Sequence, residues 1–104
     1  MYRLSFYVPE QYLEQVKNAI FQQGAGVIGN YQHCCWQIKG EGQFMPLENS
    51  NPHTGTRHQL HTEPEYKVEM VCPDNCIEAA IKALICSHPY EEPAYEAYKI
   101  MTLT

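Results

Sequence analysis

A chain of 104 residues, 44% of them hydrophobic, has room for one domain with a single core and is too apolar for a disordered segment. Seven Lys and Arg against twelve Asp and Glu give a net charge of −5, and the cations Arg3, Lys17, Lys39, Arg57, Lys67, Lys82 and Lys99 are scattered singly. Phosphate backbones and anionic bilayers are held by clustered cations, so the sequence argues for no nucleic-acid partner and no membrane partner.

The first residues open directly on an alternating pattern, with no charged region, long apolar run or cleavage site of a signal peptide. No apolar run approaches the roughly 20 residues that a membrane helix needs. Five cysteines, with Cys34 and Cys35 adjacent, do not form a disulfide framework and fit a reducing compartment, so a cytoplasmic location is expected.

Tyr2, Leu4, Phe6 and Val8 alternate with Arg3, Ser5 and Tyr7, which predicts a strand over 2–8 with one face on a core. Pro9 suits a first helical turn, and Leu13, Val16, Ile20 and Phe21 recur at helical spacing, so a helix is expected over about 9–23 with Gly24 closing it. After the small, turning stretch 24–29, Cys34, Trp36 and Ile38 alternate with His33, Cys35 and Gln37 as a second strand. Residues 40–65 change to Gly, Pro, Asn, Thr, His and Glu. A structureless loop of that length is uncommon inside a small domain, so an ordered excursion or extended hairpin arm that packs on a neighbouring subunit is expected.

Tyr66, Val68, Met70 and Cys72 read as a third strand. Asp74 is the candidate cap of a second helix whose stripe is Ile77, Ala80, Ile81, Leu84 and Ile85. A closing strand is expected over 94–101. The order β-α-β-β-α-β predicts an α+β, ferredoxin-like sandwich: an antiparallel sheet with two helices on one face, residues 1–104 forming a single domain.

Between the second helix and the last strand lies Ser87-His88-Pro89-Tyr90-Glu91-Glu92-Pro93-Ala94-Tyr95. Two prolines forbid a helix here and stiffen the segment into a bridge that fixes an imidazole, a phenol and two carboxylates. His88 with Glu91 and Glu92 reads either as a carboxylate-oriented imidazole or metal site, or as a surface turn that satisfies its own polar groups. His33, Cys34 and Cys35 offer soft ligands, but on a strand at most two share a face, and buried cysteine is ordinarily a small hydrophobe. His53, His58 and His61 read as metal ligands of the excursion or as solvated side chains. The glycines at 24, 26 and 29 do not form a phosphate loop, because they follow a helix and precede a strand without a P-loop lysine.

Gly24-Ala25-Gly26-Val27-Ile28-Gly29-Asn30-Tyr31, Cys34, Gly40-Glu41-Gly42-Gln43-Phe44-Met45-Pro46-Leu47, Asn51-Pro52 and the bridge motif together resemble one domain. It is the PII/CutA-like domain inserted in many Nif-three-like (YqfO-type) dinuclear-metal proteins, and the resemblance covers essentially the whole chain. His88-Pro89-Tyr90-Glu91 is also similar to a motif of CutA, the trimeric divalent-cation-tolerance protein. The resemblance implies a PII/CutA-like fold and a homotrimer. It also implies that the dinuclear-metal ligands lie in flanking segments, so the GTP cyclohydrolase label of the larger proteins is not expected to transfer. His58 and His61 stand where the family pattern suggests Gly or Glu.

The expected function is a non-catalytic trimeric binding or regulatory module for a small ligand or a divalent metal. A structural oligomerisation unit, or a partner of a dinuclear-metal Nif-three-like protein, is one alternative. A hydrolase using His88 with Glu91 or Glu92 is the other. The expected ligand site joins Asn30, Tyr31 and His33 to His88, Tyr90, Glu91 and Glu92, on the premise that the bridge leaves the second helix close to the start of the second strand. Within it, His33, His88 and Glu91 are the candidate ligands of a divalent metal.

Overall fold

A computed structural model describes residues 1–102. Strand β1 (Tyr2–Pro9) alternates as its sequence predicts, with Leu4, Phe6 and Val8 fully buried. Pro9 ends it, and a 3-10 turn at Glu10–Tyr12 leads into α1 (Leu13–Phe21), so the α-helix proper is shorter than the expected 9–23. Its buried residues Leu13, Val16, Ile20 and Phe21 lie on one face. Gly24 closes the helix at φ +100°, a left-handed geometry that favours glycine, and a Cβ there would meet Cys76 Sγ at 2.8 Å.

Residues 26–35 form a loop, tied down by Gly26 N–H donating to Val71 O (2.8 Å) and Cys34 N–H donating to Gly26 O (2.8 Å). The second strand, β2 (Trp36–Phe44), therefore begins three residues later than expected, and His33 sits in a turn at φ +58°. It pairs antiparallel with β3 (His61–Cys72) along its whole length, from Trp36 opposite Glu69 to Phe44 opposite His61. The excursion at 40–65 is thus strand at both ends, with a loop only over 45–60.

A second 3-10 turn (Asp74–Cys76) precedes α2 (Ile77–Ser87). Asp74 does not cap it. Its carboxylate instead takes Lys99 Nζ (2.6 Å) and the N-terminal ammonium. Ile77, Ala80 and Leu84 are buried and Ile81 packs at the edge of the core, whereas Ile85, expected in the stripe, is exposed. The last strand, β4 (Tyr95–Lys99), pairs with β1.

The sheet order is β2-β3-β1-β4, antiparallel throughout, with α1 and α2 packed together on one side. This is the ferredoxin-like α+β sandwich that the pattern predicts. Leu4, Phe6, Val8, Val16, Ile20, Val68, Met70 and Leu84 share its core at 2% exposure or less, and each such side chain contributes about 1.5–3 kcal/mol on burial. Partners across the ladder share a face, so Phe6, Val68 and Gln37 point toward the helices. Tyr7, Lys67 and Ile38 share the other face, as do Ser5, Glu69 and Trp36. Among the described residues no helix covers that side.

Candidate functional site

The proline bridge begins where α2 stops. Ser87 Oγ donates back to Ala83 O (2.7 Å), and His88, preceding a proline, takes extended backbone at φ −77°, ψ 138°. Its ring turns under β1 and is 6% exposed. The Tyr90 N–H donates to Nδ1 (3.1 Å), so the proton must sit on Nε2, which donates to Tyr7 O (2.7 Å). Burial, more than the nearby His53, holds this imidazole below its ordinary pKa, against the Tyr7 carbonyl that favours the cation. With both nitrogens engaged, no lone pair is left for a metal or for proton abstraction. The carboxylate-oriented imidazole that the sequence suggested is not formed; His88 pins the bridge to β1.

Tyr90 is the second anchor. Its phenol oxygen lies 2.7 Å from Glu63 Oε2 and 2.7 Å from Glu65 Oε2, so one proton serves two carboxylates. Burial first, and then these two carboxylates, push the phenol pKa up and keep the proton in place. The Tyr90 ring meets Phe44 edge-on at 5.6 Å, and Phe44 in turn packs on His61 at 5.0 Å. His61 Nε2 is buried without a hydrogen bond, 3.5 Å from Glu63 Oε2.

Loop 45–60 folds back onto this end of the domain. Glu91 Oε2 accepts the Asn51 N–H (2.7 Å), and His53 meets Tyr12 with Nε2 3.4 Å from the hydroxyl. The expected extended arm is therefore, beyond its paired stem, folded against its own domain. Between loop and bridge lies an open cleft of about 290 Å³. Phe44, Met45, Pro46, Leu47 and Pro52 form its apolar wall, with Tyr90, Glu91 and Glu92 opposite.

Asn30, Tyr31 and His33 are elsewhere. Their loop is bonded to Val71, which pairs with Arg3, whereas His88 is bonded to Tyr7. Those anchor points are four residues apart on β1, roughly 13 Å of strand. The reason is the course of α2, which carries the chain from the Cys72 end of the sheet to the Pro9 end before the bridge begins. Tyr31 is exposed and His33 stacks on Phe21 at 4.8 Å. The seven expected site residues thus divide into two groups within one chain, and His33, His88 and Glu91 do not meet as metal ligands. Among the described residues no three His, Cys, Asp or Glu side chains converge to hold a metal ion.

Sequence reasoning missed Glu63 and Glu65, and it read His53 only as a metal ligand or a solvated side chain. The two glutamates carried a legible signal, since their spacing puts them on one face once 61–65 is read as strand. His53 reaches Tyr12 through a contact across 41 residues that no local pattern encodes.

No family model matches the chain. It is 43% identical over 98 residues to the GTP cyclohydrolase 1 type 2 homolog of Bacillus subtilis, covering 94% of this chain and 26% of that protein. The homolog of Mycobacterium leprae is 39% identical over 95 residues, covering 91% and 25%. A Bacillus cereus protein related to NIF3 superposes with a TM-score of 0.82 at 35% identity, over 97% of this chain and 26% of that one. This chain is homologous to a segment of the NIF3-type proteins. It spans about a quarter of the length of the curated relatives it matches. CutA1 from Pyrococcus horikoshii superposes over 100% of this chain and 87% of its own, with a TM-score of 0.70 at 11% identity, a likeness of fold alone. The chain thus has a CutA-like fold, and among the described residues no helix is long and apolar enough to cross a membrane.

Proposed function

We propose that this chain is a self-associating module, a homotrimer of single domains spanning residues 1–104, that holds a small ligand without catalysing a reaction of its own. The uncovered sheet face carries the reading. Tyr7, Trp36, Ile38 and Tyr98 stand on it at 39%, 59%, 53% and 47% exposure, more aromatic surface than a solvated sheet face ordinarily shows. Both sheet edges, β2 and β4, are also open, and closed rotational symmetry covers faces and edges without creating new ones. The ligand half of the reading rests on the cleft between loop 45–60 and the bridge. A divalent metal fits the named donors poorly, because the His88 nitrogens are engaged and His33 lies at the far end. A cytoplasmic location is consistent with the five free cysteines.

Native mass spectrometry tests the assembly. Wild type is expected at three times the chain mass. Trp36→Glu, which puts a carboxylate on the uncovered face, is expected to be a folded monomer. A wild-type monomer at micromolar concentration would reject the proposal. The relatives named for GTP cyclohydrolase are about four times longer, and no GTP turnover is expected from this chain. Metal-dependent GTP hydrolysis by the pure protein, lost in a site variant, would overturn that.

A second reading, a structural module serving a longer or separate NIF3-type protein, is favoured by one observation. Ile100 N–H donates to Met1 O (3.0 Å), so the chain enters and leaves the fold side by side.

A further inference from the structure

Resting on the reading of the loop–bridge cleft as a ligand site, we propose that its occupant is a small organic cation, an ammonium group carried on an apolar body, and not a phosphate-bearing nucleotide. The cleft wall is hydrocarbon and aromatic, from Phe44, Leu47 and Pro52 with the Tyr90 ring, which suits an apolar body. Both charged side chains lining it are carboxylates, Glu91 and Glu92, and no Lys or Arg lines it. Glu91 gives one oxygen to the Asn51 N–H and keeps the other, while Glu92 is exposed and accepts no hydrogen bond among the described residues.

Arg57, the one Lys or Arg of the loop, does not itself line the cleft; its Nε (2.8 Å) and Nη2 both donate to the carbonyl of Ser50, which does. Behind the wall, Glu63 and Glu65 add two more carboxylates sharing one phenol proton. A triphosphate entering here meets the carboxylates of Glu91 and Glu92, with the His53 imidazole as the one basic side chain of the lining, and the chain as a whole is at −5. An ammonium meets the opposite: carboxylates at the rim and aromatic faces behind them, the surroundings that attract cations through the ring quadrupole. The cleft is also made by contacts that a ligand can reinforce, since loop 45–60 is held to the body by Asn51 on Glu91 and His53 on Tyr12.

Three probes of similar size and one nucleotide separate the possibilities: 2-phenylethylammonium, its neutral isostere 2-phenylethanol, the anion 3-phenylpropionate, and GTP. Binding is followed by amide chemical-shift titration of the whole protein, which reports both affinity and place. The ammonium is expected to shift residues 44–54 and 90–92 and to bind about tenfold tighter than the alcohol, with no binding of either anion. In Glu92→Gln, whose side chain is exposed, the preference for the ammonium is expected to fall to about threefold with the fold unchanged. Equal or tighter binding of the alcohol, the anion or GTP in the same cleft would overturn the cationic class and leave the cleft as a ligand site. No shift at those residues with any probe would overturn both.

Discussion

Replacing His88 tests whether the most conspicuous titratable group of the bridge is structural. In His88→Ala two hydrogen bonds go, from Nε2–H to Tyr7 O and from Tyr90 N–H to Nδ1, and two backbone groups lose their partners. At about 1 kcal/mol net for each bond, with about 1 kcal/mol more for the space left by a buried ring, the loss is about 3 kcal/mol. For a domain of this size that is roughly 12–24 °C in Tm. Urea unfolding at fixed protein concentration, which keeps any self-association constant, measures it.

The same residue gives a pH signature. Its folded-state pKa lies below the ordinary 6.5, so the unfolded chain takes up this proton first. The stabilisation from a neutral His88 is therefore complete above pH 6.5 and is lost as pH falls through the folded value, with a slope of up to about 1.4 kcal/mol per pH unit. Subtracting the His88→Ala profile from wild type should isolate that slope. A variant within about 0.5 kcal/mol of wild type, with a parallel pH profile between 5 and 7, would refute the argument and return His88 to the candidate ligands.

Tyr90→Phe removes the hydroxyl that bridges Glu63 and Glu65 and should destabilise by about 1–3 kcal/mol; in urea melts, adding Glu63→Gln should restore part of the loss, and an additive double variant would contradict the bridge. Cys72, buried and with its pKa raised to about 11 mainly by that burial, should resist iodoacetamide at pH 8 until the chain unfolds, while exposed Cys86 reacts first; mass mapping of the labelled peptides reads the order. Gly24→Ala places a Cβ against Cys76 Sγ in a left-handed backbone and should lower the urea midpoint by the equivalent of about 1–3 kcal/mol; an unchanged midpoint would show that the turn relaxes freely.

The parts of the fold that local periodicity encodes were legible. Strand β1 and the stripes of α1 and α2 bury most of the residues their spacing selects, Ile85 excepted, because a half-buried element writes its period into the chain. Strand β2 was harder. Trp36 and Ile38 alternate as a core face does, yet they lie on the uncovered side, while Gln37 meets Lys17 and Lys39 meets Glu10. Alternation shows that one face is apolar and leaves open which layer it meets. The site failed for a different reason. The partners of His88 are backbone groups, one of them 81 residues away, and the cleft is closed by contacts across 40 and 41 residues. Composition at 88–92 identified a rigid polar segment. It could not say whether those groups face a ligand or their own chain.

The placement of the ends bears on how such a module works within longer relatives. Met1 and Ile100 meet at the end of the sheet where Tyr2 pairs with Lys99 and with Cys72. The bridge, the Glu63–Tyr90–Glu65 cluster and the cleft lie at the other end, beyond Tyr7. A segment whose ends are adjacent can join a longer chain at one point without unfolding either part, because its own strand pairing already closes the loop. The cleft then projects away from the junction, and the uncovered sheet face runs along the side between them. On the proposed reading, attachment, self-association and ligand binding use three separate surfaces of one small domain. Two of them can then be tested apart: Trp36→Glu for assembly and Glu92→Gln for ligand charge, with the join untouched by either.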